Sequence, residues 1–522
     1  MTVDEPAVAP RRRSTLLLVA AVALVALCWI VGNPRSAGPD EPSHMVAGAG
    51  FVRFQGSGDV SPDNPALHLM EVPQMVGAPD PGCWAFVPDE TPACADDVEL
   101  TDDMVDAATT TYNYPPWGLV LPGLASFVPW ADGYAYLARA LSSLVPVLLV
   151  GFSLSALAAV GRIHAAAAFL GITPIVWFTF GTVNPSSLAI GGGLALWTGL
   201  MLLGRPHADV LALAGWAAVL LPRRDGPVWA TLVVIAVCIL VRTRPTELWR
   251  RMRPVPRWLV IAAAPLALIP PLWRGDLGFN LLLAMAPLAL VAVEVFAVAW
   301  DRSPDRAGRA WLAAIVAGVV VVGAAFVVLQ RPGGYDAEVV RLVVANTGDH
   351  LTQLVGLLGW LNAPVPTSAV LLYWATLGAL VGVALLDRSR SAATVGAMVM
   401  AAVVTAWLLE LGQGSNYGDY WQGRYTMPFA VGLPLVATWG VRDRRIDDLA
   451  VPVAAASWII VNFGFFAAQR RWAVGNDGTW YVWRWGTWDA PLHPMLLLVL
   501  HAAATAWLAF VLVQRRAEVN RT

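Results

Sequence analysis

Residues 11–32 read RRRSTLLLVAAVALVALCWIVG: three arginines, then an uncharged run from Ser14 to Gly32. As a helix that run rises about 28 Å, enough to cross the roughly 30 Å hydrocarbon layer of a bilayer. It has no small-residue cleavage site, so it reads as a retained helix and not as a removed signal peptide. The same pattern recurs along the chain. Further apolar runs fall near 134–160, 163–181, 187–204, 207–222, 227–241, 257–273, 279–300, 310–329, 368–386, 392–411, 427–441, 449–468 and 492–513, of which 207–222, 227–241 and 427–441 are short. The fold class they predict is an all-α integral membrane bundle of about 14 (12–14) transmembrane helices.

Composition agrees. The 522 residues are 57% hydrophobic and 13% charged, with a mean hydropathy of +0.60; a water-soluble domain carries about a quarter charged residues. A net charge of −2 with no dense basic patch excludes nucleic acid as a partner. All 34 basic residues are Arg, which, with abundant Ala, Val and Gly, fits a GC-rich bacterial genome. The sequence holds no Walker loop, dinucleotide glycine motif, HExxH or paired CxxC, so neither ATP-driven transport nor a zinc protease has support.

The arginines set the orientation. With the N-terminus inside, 22 of the 34 fall on the cytoplasmic side, six of them between Arg242 and Arg257, and 12 fall outside. Residues 1–13 are then a cytoplasmic N-terminus, and 14–522 form a single polytopic domain with both termini cytoplasmic. A long first extracytoplasmic loop covers 33–133, with 14 acidic residues against two Arg between 33 and 116. Further outer segments follow at 330–367, 412–426 and 469–491. Polar sequence is invested on one face, and that face is where the chemistry belongs.

The first outer loop opens with Pro39-Asp40-Glu41-Pro42-Ser43-His44. Two adjacent carboxylates at a membrane surface are costly to desolvate, and one held there can accept a hydroxyl proton as general base. The plain alternative is a solvated pair in a proline-bounded turn. Arg424, in Trp421-Gln422-Gly423-Arg424-Tyr425, stands where an outer loop enters a helix. Arg139, in Tyr136-Leu137-Ala138-Arg139, lies just inside the second helix. Each either snorkels to headgroups or grips an anion with its planar fork. The apolar stretch Gly356–Asn362 is too short to span and suggests a re-entrant or interfacial helix within the 330–367 segment. Asn184-Pro185-Ser186-Ser187 makes a tight outer turn. Cys83 and Cys94 share one polar loop and, if it is extracytoplasmic, can form a disulfide; Cys28 and Cys238 sit in apolar runs as small hydrophobes. The last outer loop carries Trp472, Trp480, Tyr481, Trp483, Trp485 and Trp488, either an interfacial belt or a set of sugar-stacking rings.

Taken in order, these stretches resemble an uncharacterised family of bacterial multispanning membrane proteins marked by PDEPxH after the first helix and QGRY near a late one. Tyr112-Asn113-Tyr114-Pro115-Pro116, Leu137-Ala138-Arg139, Asn184-Pro185, Gly356 to Leu361 and Gln422 to Tyr425 carry the likeness, which runs over 15–430. That family in turn looks like the GT-C superfamily of polyprenyl-phosphate-sugar glycosyltransferases. The resemblance implies a GT-C-like bundle and an inverting transfer of a sugar from a polyprenyl-phosphate donor to a cell-envelope glycan or lipid acceptor. The transfer would take place on the outer face of a bacterial plasma membrane. It makes Asp40 or Glu41 the catalytic base and gives Arg424 and Arg139 the donor phosphate. His44, Tyr114, Trp360, Gln422 and Tyr425 become substrate-binding residues. No cofactor is required by the sequence, though His44 offers a ligand for a divalent metal. Two departures stand out: the NPD of such relatives is Asn184-Pro185-Ser186 here, and the last hundred residues carry no motif of the family. The alternatives are a transporter or flippase of a lipid-linked sugar, or a non-catalytic envelope scaffold. Transport would bring internal repeats meeting at the midplane, and none is detectable.

Overall fold

The computed structural model describes residues 12–77, 80–95, 99–254, 256–259, 261, 288–299, 337–413 and 421–514. Its main helices are α1 (Arg12–Gly32), α2 (Glu41–Val52), α3 (Tyr134–Ala158), α4 (Arg162–Gly171), α5 (Pro174–Phe180), α6 (Pro185–Met201), α7 (Ala208–Leu220) and α8 (Gly226–Val241). They continue as α9 (Thr347–Gly356), α10 (Thr367–Leu386), α11 (Arg390–Gln413), α12 (Gly423–Ala430), α13 (Ala450–Val474) and α14 (Pro494–Val513). Among the described residues six helices are long and apolar enough to cross a membrane: α1, α3, α10, α11, α13 and α14. Two bent pairs bring the number to eight if each pair is one span.

The bends correct the expectation of unbroken runs. Run 163–181 is α4 and α5, turned by 71°. Pro174 opens α5, where its missing N–H costs nothing, and Thr173 Oγ1 donates to the Leu354 carbonyl (2.8 Å) instead of continuing a helix. Run 227–241 is α8, followed at 91° by a short helix Pro245–Arg251. Run 427–441 is no single helix either: α12 stops at Ala430 and a short helix Leu433–Thr438 begins beyond it, with Pro434 in its first turn. Run 310–329, most of 257–273 and the first nine residues of 279–300 lie outside the described residues; Leu288–Ala299 is an apolar helix. Of 330–367, the described part is a short helix Ala337–Ala345, then α9 and a hairpin. Gly356–Asn362 is that hairpin and not a helix: Leu357–Leu358 pairs with Ala363–Pro364, and Gly359 and Leu361 turn the chain at positive φ.

Between α1 and α3 the chain builds α2, a three-stranded antiparallel sheet and a cross-linked loop. The strands are β1 (Asp59–Val60), β2 (His68–Pro73) and β3 (Met104–Thr109), in that order, with Met70 opposite Ala107. Alternation turns Met70 and Val72 inward onto Met45, Val46 and Ala49 of α2, while Glu71 stays exposed. Cys83 and Cys94 are joined by a disulfide. Arg471, at the end of α13, clamps the loop they close by donating to the carbonyls of Trp84 (3.0 Å) and Val87 (2.7 Å).

In lipid, tight packing takes the place of hydrophobic exclusion between helices, so small residues mark the contacts. α6 and α7 show it: a Cβ on Gly199 would collide with the Ala212 backbone, and one on Gly215 with the Leu196 backbone. One end of the bundle then collects the C-terminal ends of α1, α5 and α7 with the N-terminal ends of α3, α6, α8 and α12. The site is there.

Candidate functional site

α2 begins abruptly. Asp40 caps it in the left-handed region (φ 62°), a conformation that costs an ordinary residue about 1 kcal/mol and that Asp tolerates better than most. Pro42 fixes the first turn. The kink sends two neighbouring carboxylates opposite ways: Glu41 is fully buried, while the Asp40 side chain remains 37% exposed.

Glu41 is spoken for. Arg139 Nε meets its Oε1 at 2.8 Å and Nη2 its Oε2 at 2.9 Å, a two-pronged pair with both side chains fully buried. The backbone N–H groups of Gly38 (3.2 Å) and Val183 (2.9 Å) donate to the same carboxylate. Arg139 also reaches the carbonyls of Asn33 (2.8 Å) and Pro34 (2.5 Å), beyond the end of α1, where a cation suits the helix dipole. All three of its nitrogens are engaged. This pair corrects two expectations: Arg139 has no free fork for a phosphate, and Glu41 no free oxygen for a proton. Their role here is to tie α1, α2, α3 and the Val183 segment together.

Asp40 faces a different arginine. Arg424 Nη2 lies 3.5 Å from Asp40 Oδ2, joining residues 384 apart in sequence. The Arg424 side chain is 5% exposed, and its Nε is buried with no partner among the described residues. Its guanidinium stands 5.2 Å from the Tyr425 ring centre, and the Arg223 guanidinium stands 4.4 Å from the same centre. Arg223 is anchored by Asp225 Oδ1 (2.9 Å) and donates to Ser186 Oγ (3.0 Å). Asp225 Oδ2 accepts from Trp229 Nε1 (2.9 Å). Ser186 is placed by Asn184, whose side chain caps α6 by accepting from the Ser186 N–H. The Asn184 turn is therefore part of the wall.

His44 sits one helical turn after Asp40, buried, with its ring centre 5.6 Å from that of Tyr114. Burial pushes its pKa down to about 4, against the opposing pull of Asp40. Burial likewise raises the Tyr114 phenol above its ordinary range, so both are neutral at pH 7. Gln422, the residue before α12, has its Oε1 buried with no partner among the described residues, and together with Gln353, Leu357 and Leu361 it lines a small crevice beside Arg424. Trp360 stands apart from these, donating to the Ser36 carbonyl (2.8 Å) and packing edge-on to Phe86.

Of the residues singled out in the sequence, Asp40, His44, Tyr114, Arg424 and Tyr425 come together, with Gln422 at the rim. Arg139 and Glu41 lie behind them, paired, and Cys83–Cys94 lies in the neighbouring loop. Arg223 and Asp225 were missed. Their signal was the Arg223-Arg224 pair, two cations in a tight turn assigned to the face where arginines are scarce. No group of three or more His, Cys, Asp or Glu side chains suited to a metal occurs among the described residues.

The chain belongs to the family described as Predicted membrane protein (DUF2142), which matches residues 23–433. No curated protein matches it. Among solved structures it is similar to ArnT from Cupriavidus metallidurans in two states. In the apo state the identity is 13%, with 84% of this chain and 79% of that one covered and a TM-score of 0.31. Bound to undecaprenyl phosphate the identity is 14%, with 85% and 80% covered and a TM-score of 0.30.

Proposed function

From its place in the DUF2142 family and the geometry of this site, we propose that the chain is a membrane glycosyltransferase of the GT-C type. It moves a sugar from a polyprenyl-phosphate donor to a hydroxyl of a cell-envelope glycan or lipid, with inversion, on the outer face of a bacterial plasma membrane. The observation that carries the reading is the meeting of Asp40 and Arg424 at 3.5 Å across 384 residues, with a buried Nε on the arginine that has no partner among the described residues. A carboxylate and an anion-binding fork at one partly open spot fit a reaction in which a proton is lost and a phosphate leaves.

In that reaction the acceptor oxygen attacks the anomeric carbon from the side opposite the donor phosphate. Its proton passes to the Asp40 carboxylate. The bond from anomeric carbon to phosphate oxygen breaks, and its electron pair leaves with the polyprenyl phosphate. The leaving group is already a stable anion, so no general acid is needed. Arg424 holds the phosphate oxygens as charge grows on them, and Tyr425, Arg223 and Asp225 hold Arg424 in place. Glu41 and Arg139 act as positioning residues. The same proposal sets 33–133 and 330–367 outside and both termini inside, with 14–522 as one polytopic domain.

The test is sugar transfer from polyprenyl-phosphate donors by the full chain in nanodiscs. Asp40→Asn keeps the shape but removes the base, so turnover should fall about 10²–10⁴-fold with donor binding little changed. Arg424→Lys keeps the charge and loses the fork, so donor binding and rate should both fall. Full transfer by Asp40→Asn refutes base catalysis by Asp40. Movement of intact donor across the bilayer, without cleavage, replaces the enzyme with a flippase.

A further inference from the structure

One short stretch of backbone governs His44. The N–H of Val183 donates to Glu41 Oε1 (2.9 Å), and the carbonyl of Val183 faces His44 Nδ1 at 3.0 Å. A carbonyl oxygen only accepts, so Nδ1 must carry the hydrogen. With the pKa near 4 the ring holds a single hydrogen at neutral pH, and Nε2 is left with a bare lone pair. That nitrogen is buried and has no partner among the described residues. A buried acceptor with no donor is costly, and the cost disappears when a ligand supplies an O–H.

Its surroundings say which ligand. His44 lies one turn along α2 from Asp40, with the backbone N–H of His44 donating to the Asp40 backbone carbonyl at 2.8 Å. Asp40, Arg424 and Arg223 all act electrostatically on the ring. Four residues apart, His44 and Asp40 share one face of α2, which puts the ring beside the carboxylate that takes the acceptor proton. We propose that His44 Nε2 is a fixed hydrogen-bond acceptor for a second hydroxyl of the acceptor substrate, so that the site takes a polyol such as a sugar ring and not a simple alcohol. The inference rests on the transferase reading above. No bond forms or breaks at His44: the reacting hydroxyl gives its proton to Asp40, and a neighbouring hydroxyl donates to Nε2. His44 thereby selects the acceptor and orients it.

The experiment uses the full chain in nanodiscs, polyprenyl-phosphate sugars as donors, and methyl glycosides with their singly deoxygenated analogues as acceptor probes. In the wild type, removing one particular hydroxyl should cost about 10–100-fold in kcat/KM, the cost of leaving one buried acceptor unpaired. In His44→Phe that penalty should vanish while the affinity for farnesyl phosphate stays the same, and His44→Gln, which keeps an acceptor nearby, should restore part of it. A merely structural role would instead lower every acceptor alike and shift farnesyl phosphate binding. The second readout is the ¹⁵N spectrum of the histidine-labelled protein, with His44 assigned by the signal lost in His44→Phe. Nε2 should be unprotonated at neutral pH and should move when methyl glycosides are added. A protonated Nε2 overturns the inference, and so does a deoxygenation penalty that survives in His44→Phe at every position. If the wild type transfers nothing yet glycosides still move the Nε2 signal, the transferase reading falls and hydroxyl binding stands. If nothing is transferred and nothing moves, both fall.

Discussion

Asp40 and Glu41 are chemically alike and adjacent, and the sequence offers no reason to separate them. The separation comes from a single backbone angle, the left-handed φ of Asp40, which places one carboxylate inside the protein and one at its surface. The same holds for the arginines. Arg139 and Arg424 both read as guanidinium groups at the outer end of a helix, and only tertiary distance shows that one is consumed by Glu41 while the other keeps a donor with no partner among the described residues. Removing one partner of a buried pair strands a charge, so Glu41→Gln and Arg139→Met should each cost about 3–5 kcal/mol. The double variant Glu41→Leu/Arg139→Met should cost less than either, and thermal unfolding in detergent checks this. Equal or additive losses would mean the pair is not coupled. His44 gives a pH signature with a definite sign. Its folded pKa of about 4 lies below its ordinary 6.5, so between those values the unfolded chain binds a proton that the fold refuses. Stability from this group is complete above pH 6.5 and falls as the pH drops toward 4, by about 3 kcal/mol in all. The difference between wild-type and His44→Gln unfolding curves over pH 4–7 isolates it.

The elements were legible where apolar runs are long: α1, α3, α10, α11, α13 and α14 all lie where hydropathy puts them. They were illegible where proline and threonine compete with the helix, as at Thr173-Pro174 and at Pro434. Gly356–Asn362 misled for another reason. Its apolar residues suit a short helix, but Gly359 and Leu361 take positive φ, which folds the stretch back on itself. The disulfide loop belongs at this scale too. Cys83 and Cys94 close a loop with a sequence separation of 11, and losing such a constraint costs about 3 kcal/mol. Protein purified without reductant should resist alkylation at both positions, and a Cys83→Ser/Cys94→Ser variant should unfold at lower temperature. Ready alkylation of the native protein would contradict the cross-link.

At the scale of the whole molecule, arginine asymmetry makes a claim about sidedness that can be checked in cells. A cysteine placed at 60 or 480 should react with an impermeant maleimide added from outside, and one placed at 247 should not. Labelling at 247 would invert the orientation and move the proposed site to the cytoplasmic side. The site could be read only in part because its members are scattered: Asp40, His44, Tyr114, Arg223 and Arg424 come from four separate stretches, and Arg223 lies in a turn too short to attract notice. The Glu41–Arg139 pair has one more consequence, and it concerns synthesis. The partners are 98 residues apart, and at about 5–20 residues per second the ribosome needs about 5–20 s to travel that far. For that interval the first helix is already in the membrane with the carbonyls beyond its end uncapped and a carboxylate unpaired. The lock closes only when the third helix enters. The tie between the first two spans therefore forms late, and a nascent chain stalled before Arg139 emerges should leave residues 33–52 open to added protease that the finished protein resists.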